Sequence, residues 1–324
     1  MKVTEKDREA QGAAPPPRAR SPVFNDEEFL RGLPCKDNSR IVGPVRIEAR
    51  ISKGGMGVVY RGHHLKLDID VAVKFLLPHL AENNPEYVLR FEREARFAAQ
   101  LNNENLVRVY DVNFEKNYHY VVMELVCGET ARDRVARKGP LAEAEAMSII
   151  LGATRGLEAA HRKSIVHRDI KPENIMIDSS GVVKLADLGI AKAQSDPDRT
   201  QSLITQPGVI IGTPSYMAPE QVQSAHAVSP AVDIYSMGAT LYFLLTTKPP
   251  YEGGLFQIIQ AIGARGFPDI RELRPGLSEN VVRILRRCTQ LNPAARYPDA
   301  SALLRDLERS GLERRSLAEA DMGT

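Results

Sequence analysis

HRDIKPEN, residues 167–174, places three basic side chains, two carboxylates and an amide in eight positions, with Pro172 stiffening the loop. Taken alone, the stretch reads equally well as a charged connection between two helices. Its flanks decide the fold. Upstream, between Ile41 and Val126, the runs VRIEARI, GVVYRGHH, VAVKFL, LVRVYDV and YHYVVMEL are β-branched and aromatic and are separated by turn residues. One segment breaks that pattern. PEYVLRFEREARFAAQL (85–101) carries Val88, Phe91, Ala95 and Ala98 at helical spacing among helix-forming charges, which predicts an amphipathic helix.

Downstream, the periodicity is helical in AEAEAMSIILGATRGLEAAHRK (142–163), AVDIYSMGATLYFLLTT (231–247), FQIIQAI (256–262), ENVVRILRRCTQ (279–290) and DASALLRDLERSG (299–311). Two short β-like runs, NIMID and VVKLAD, joined at Ser179-Ser180-Gly181, follow the opening stretch. The expected class is α+β, with a small antiparallel sheet and one packed helix over 41–126 and a helical lobe over 127–310. Residues 1–40, with the cluster APPPRARSP, and residues 311–324 are expected to be tails.

The 324 residues are 43% hydrophobic and 26% charged, enough for one large domain or two lobes. Lys and Arg number 43 against 41 Asp and Glu, so no general basic surface points to nucleic acid. Cys35, Cys127 and Cys288 lie far apart, form no CxxC pair and suit a reducing compartment. The longest apolar stretch, Ser236–Thr247, is too short to span a bilayer and predicts a buried helix. MKVTEKDREA lacks a secretory core, so the chain is expected in the cytoplasm without a membrane anchor.

Several residues carry chemistry. ISKGGMGVVY (51–60) sets glycines between two strands; the plain reading is a hairpin, the functional one a backbone that approaches phosphate closely through Gly54, Gly55 and Gly57. No GxxxxGK[ST] occurs, so it is not a Walker A loop. Lys74 ends the strand VAVK. Glu94 on the following helix, flanked by Glu92 and Arg93, can pair with it and aim its ammonium at phosphate. Asp169, Asn174 and Asp187 are hard oxygen donors of the kind magnesium takes together with substrate phosphates. Lys171 adds a cation beside them, and one carboxylate is left to act as a base.

In this order, these motifs resemble the eukaryotic-type (Hanks-type) Ser/Thr protein kinases, bacterial branch, over about residues 43–310. The resemblance rests on SKGGMGVV, VAVK, Glu94, HRDIKPEN, DLG at 187–189, APE at 218–220, DIYSMG with Asp233, and Arg296 as partner of Glu220. It implies a two-lobed protein kinase fold with ATP in the cleft. Nucleotide contacts would come from Ser52, Gly54, Gly55, Gly57, Val59, Ala72, Lys74 and Met123, with Glu124, Leu125 and Val126 against adenine. Lys74, held by Glu94, would meet the phosphates, and Asn174 and Asp187 would hold Mg2+, with Mn2+ as the alternative ion. Asp169 would accept the proton of the substrate hydroxyl beside Lys171.

Lys171 together with Thr213 resembles the Ser/Thr-specific pattern, so proteins bearing Ser or Thr are the expected substrates. Autophosphorylation through a transient homodimer is a further expectation. Thr200, Ser202 and Thr205 are candidate acceptors, and Arg168 and Lys192 are the cations that would meet their phosphates. Glu173 carries two readings, selection of a basic residue near the acceptor or a structural hydrogen bond. Ser52 stands where the family has its first loop glycine, and Leu188 replaces its usual Phe, packing under the helix. Those two departures are the support for the alternative function, a catalytically silent kinase-like scaffold. Both leave every charged catalytic position intact.

Overall fold

Phe29 and Leu33 are the apolar residues that anchor the start of the chain, and a computed structural model buries both. The structure describes residues 26–36, 39–83, 85–188, 214–223, 229–264 and 266–310. Helix α1 (Asp26–Leu30) leads into β1 (Cys35–Lys36) and β2 (Ser39–Val42), which pair with each other and then with β3 (Val45–Lys53). Residues 26–36, 39 and 40 were expected to lie in a tail; instead Asp26–Leu30 form α1, and Cys35, Lys36, Ser39 and Arg40 join the sheet. Their sequence alone hides this, because their partners lie far along the chain: Tyr118 donates a hydrogen bond to the Phe29 carbonyl.

Strands β4 (Gly57–His64), β5 (Ile69–Leu76), β6 (Val109–Glu115) and β7 (Tyr118–Glu124) complete a seven-stranded antiparallel sheet of order β1-β2-β3-β4-β5-β7-β6. The period of two divides its faces. Tyr60, Phe75, Tyr118 and Tyr120 point one way into an aromatic layer, where Phe29 stacks on Tyr60 at 6.0 Å and meets Phe75 and Tyr118 edge-on. Val59, Lys74, Ala72, Val121 and Met123 share the opposite face through the pairs Val59–Lys74, Lys74–Val121 and Ala72–Met123. Helices α2 (Pro78–Asn83) and α3 (Pro85–Ala99) connect β5 to β6, and α3 lies against that second face. Phe29→Ala removes a ring shared by three neighbours and is expected to cost about 3 kcal/mol, the low end for Phe truncation because a terminal helix can shift. Urea unfolding with an unchanged m-value measures it; a loss under about 0.5 kcal/mol would show that α1 adds nothing.

The second half is helical. The strand β8 (Gly128–Thr130) leads into α4 (Ala131–Lys138) and α5 (Glu143–His161), and β9 (Ile175–Asp178) with β10 (Val183–Leu185) completes a three-stranded sheet. Gly181 sits at φ +86° in the β9–β10 turn, a left-handed conformation suited to glycine. Helices α6 (Pro219–Gln223), α7 (Ala231–Thr246), α8 (Leu255–Ala264), α9 (Glu279–Cys288) and α10 (Ala300–Arg309) follow. Every residue of α7 is buried, so the apolar run over 236–246 is the centre of this lobe. Among the described residues no helix is long and apolar enough to cross a membrane. The fold is thus α+β in two lobes, as the periodicities lead one to expect. Helix α4 was not anticipated from ARDRVARK, which is mostly charged. Its start is set by a capping box between Thr130 and Asp133, and its end by Gly139 at φ +78°.

Candidate active site

The loop that opens with His167 and Arg168 is held by one buried carboxylate. Asp233, fully buried on α7, accepts from the amides of His167 at 2.8 Å and Arg168 at 2.7 Å. That grip holds Arg168 at φ +66°, a left-handed conformation costly for a residue with a long side chain. His161 Nε2 lies 2.9 Å from Asp233 Oδ2, while His161 Nδ1 accepts from the Ala300 amide at 3.2 Å. The second contact makes Nδ1 an acceptor, so Nε2 carries the proton.

His167 is assigned by the same logic. Its Nε2 faces the Ala186 carbonyl at 3.0 Å, and its Nδ1 accepts from the Asp169 amide at 3.3 Å. Burial pulls its pKa down, with Asp233 and Asp169 opposing, so the ring sits neutral and ties the loop to the residue before Asp187. Sequence reasoning gave His161 and His167 no role. Their signal was a pair of histidines next to loop residues, legible only once Asp233 is brought between them.

Past the turn, Asp169 Oδ2 accepts from Lys171 Nζ at 2.8 Å and from Asn174 Nδ2 at 3.2 Å, and Asn174 Nδ2 also donates to the Asp169 carbonyl at 2.8 Å. Asn174 thereby uses its amide nitrogen as the brace and keeps Oδ1 as an oxygen donor. Its carbonyl accepts from the Ala186 amide at 2.8 Å, which fixes the loop beside Asp187.

Asp187 stands at φ +55°, and its Oδ1 accepts from Lys74 Nζ at 2.7 Å. Sequence reasoning gave Lys74 to Glu94; in the structure its hydrogen bond goes to Asp187, and Glu94 acts on it through charge. The left-handed turn at Asp187 brings that carboxylate to the end of β5. Burial pulls the Lys74 pKa down, but Asp187 and Glu94 outweigh it and the ammonium is held charged. Burial likewise pushes Asp187 up, and Lys74 overcomes it, so the carboxylate stays ionised. A cavity of about 50 Å³ behind the pair is lined by Phe91, Glu94 and Ala98 of α3, by Val121 and Met123, and by Leu188. Leu188 is 6% exposed and belongs to the main core of the helical lobe.

The glycine-containing turn closes the other side of the cleft. Gly54 donates to the Gly57 carbonyl at 2.8 Å, and a Cβ on Gly57 would lie 2.5 Å from the Phe75 carbonyl, so that position admits only glycine. Gly55 has open space around it, and a Cβ on Gly54 would make only an ordinary contact. Packing therefore does not demand glycine at either position. Ser52 is exposed on β3 opposite Val59, just past a register shift.

Beyond Met123, Glu124 turns its side chain to Lys184 at 2.9 Å and to the Arg108 amide at 3.2 Å, so a nucleotide would meet its backbone. Val126 is buried at the end of this segment. Arg296 confirms the pairing expected with Glu220 through two bonds, at 2.6 and 2.8 Å. Arg168 buries Nε and Nη1 without a hydrogen-bond partner among the described residues. Lys192, Thr200, Ser202, Thr205 and Thr213 lie outside the described residues.

Residues 45–306 match the family described as protein kinase domain. The chain is 39% identical over 267 residues to the serine/threonine-protein kinase PknL of Mycobacterium tuberculosis, an alignment that covers 81% of this chain and 64% of the relative. It is 35% identical over 271 residues to the serine/threonine-protein kinase PrkC of Bacillus subtilis, covering 83% of this chain and 41% of that protein. The chain therefore spans less than two thirds of the length of these curated relatives. The crystal structure of the Mycobacterium tuberculosis PknI kinase domain superposes with a TM-score of 0.65 at 23% identity, covering 84% of this chain and 97% of that one.

Proposed function

We propose a catalytic role from one premise, that this chain belongs to the protein kinase domain family: it transfers the γ-phosphate of ATP to Ser or Thr hydroxyls of proteins. The observation that carries the reading is the convergence of two carboxylates with three fixed partners, Asp187 with Lys74 and Asp169 with Lys171 and Asn174. Asp187 and the Asn174 amide oxygen form a hard-oxygen donor pair, the number magnesium takes when phosphates supply the rest. Magnesium bound there would neutralise the charge of the phosphates during transfer.

Lys74 binds phosphate oxygens, kept charged by the acids around it. The glycine turn, held by its Gly54–Gly57 bond, offers the backbone around Gly55 to the phosphates. Asp169 orients the acceptor hydroxyl and takes its proton on the carboxylate, while Lys171 keeps that carboxylate in place and adds positive charge next to the moving group. Ser52 and Leu188 remove none of these groups, which favours transfer over a silent scaffold. The nitrogens of Arg168 that are buried without a partner among the described residues support the further reading that a phosphate on Thr200, Ser202 or Thr205 docks there. Site of action in the cytoplasm and a transient homodimer for transfer in trans belong to the same proposal.

Incubating the protein with γ-labelled ATP, with and without magnesium, and mapping the labelled positions tests it. Magnesium-dependent label on Ser or Thr, including one of the three loop residues, is expected. No label on the chain or on added protein substrates would overturn the reading.

A further inference from the structure

Glu173 lies four residues past Asp169, on the same short loop, and its two readings from sequence are separated by what surrounds it. Arg132 Nη1 donates to Glu173 Oε1 at 2.7 Å, across 41 positions of chain. The other oxygen, Oε2, is shielded from solvent and hydrogen-bonds to nothing among the described residues. One oxygen is thus occupied and the other covered.

The neighbouring carboxylates are committed as well. Glu129 accepts from Arg134 at 3.0 Å and from Arg137 at 2.6 Å, and Asp133 closes the cap of α4. Tyr216, buried in the segment Pro214–Tyr216, is near enough that Glu173 raises and Arg132 lowers the pKa of its hydroxyl, on top of the larger effect of burial. The pair therefore sits where the chain after the Thr213 position meets the catalytic loop.

Arg132 is badly placed for its own helix. It stands in the first turn of α4, where the macrodipole disfavours a cation. Its guanidinium is anchored instead by Glu173 and by the ring of Phe243, 6.0 Å away. A half-exposed bridge of this kind adds little to stability, with Arg132 52% and Glu173 30% exposed. Its effect is on the field at the mouth of the site.

We infer that Arg132 is a specificity-determining residue: it occupies Glu173 from within the chain and removes the negative charge that would select Lys or Arg next to the acceptor. This rests on the proposed transfer to Ser or Thr. The substrate class it implies is a protein segment with no basic residue required beside the acceptor hydroxyl.

The test is a panel of Ser/Thr peptides that carry Arg, Ala or Glu in turn at each position within five of the acceptor, compared by kcat/KM with ATP and magnesium. The wild type is expected to treat Arg and Ala alike within about threefold, while Arg132→Ala gains a preference for Arg on the order of tenfold at one position, the scale of one charge-assisted contact. Adding Glu173→Gln to Arg132→Ala is expected to erase that gain. An unchanged Arg132→Ala profile, or a basic preference already present in the wild type and lost in Glu173→Gln, would overturn the inference while leaving transfer intact. Failure of the wild type to phosphorylate any peptide or protein would overturn both.

Discussion

Asp169→Ala is expected to keep nucleotide binding and to lower transfer by about 10²- to 10⁴-fold, the range that a positioned general base contributes. The residues proposed to hold phosphate and metal, Lys74, Asp187 and Asn174, are anchored without the Asp169 side chain. Lys74 bonds to Asp187, and Asn174 keeps its bond to the Asp169 carbonyl, which the substitution preserves. What disappears is the carboxylate that orients the hydroxyl, together with the partner of Lys171 at 2.8 Å. Kd for ATP from calorimetry, beside kcat from labelled transfer, separates the two effects. A variant with wild-type kcat would remove Asp169 from the chemistry, and one that loses ATP binding would make it a structural brace.

Arg296→Met is expected to lower stability by about 3–5 kcal/mol, the loss typical when one partner of a buried ion pair is removed. Arg296 is 2% exposed. It holds Glu220 with two bonds, donates to the carbonyls of Ala231 at 2.9 Å, Gln290 at 2.7 Å and Leu291 at 3.2 Å, and lies 4.9 Å from the Tyr235 ring. Methionine fills comparable volume but leaves Glu220 charged and unpaired next to α7. Pairing the change with Glu220→Gln is expected to recover part of the loss, because the stranded charge goes while the three carbonyls stay without their donor. Denaturant unfolding of both variants measures it. A cost under about 1 kcal/mol for the single change would show that the pair does not brace the lobe.

Much of this was legible in the sequence, for reasons that differ by region. Strands β3 to β7 and helices α3, α5 and α8 to α10 announce themselves because burial on one side imposes a period of two or 3.6 on their side chains, and α7 does so through an apolar run that is buried all round. Asp169, Lys171, Asn174 and Asp187 were singled out because oxygen donors and cations in this order suit phosphate and metal, and the structure pairs Asp169 with Lys171 and Asn174 and Asp187 with Lys74. The part of the chain around Phe29 was misjudged because what packs on that ring, Tyr60, Phe75 and Tyr118, lies up to 89 positions away. The hydrogen bond of Lys74 to Asp187 was not foreseen because a left-handed turn, which no local pattern marks, delivers that carboxylate to it. Asp233 was visible as a motif residue, yet its work on two backbone amides left no trace in side-chain chemistry. Arg132 went unnoticed because in sequence it is one more charge on a charged helix.

The placement of α1 also bears on how the protein is made. Its helix and the short strands after it leave the ribosome ahead of the strands they pack on, and the Tyr118 hydroxyl that binds Phe29 is 89 residues behind. At about 5–20 residues per second, the nascent chain waits roughly 4–18 s before that contact can form. During that interval β3, β4 and β5 can pair while the aromatic side of their sheet stays uncovered. β7 is the strand that brings Tyr118 and Tyr120, so the aromatic layer of the smaller lobe can close only after that strand has been made.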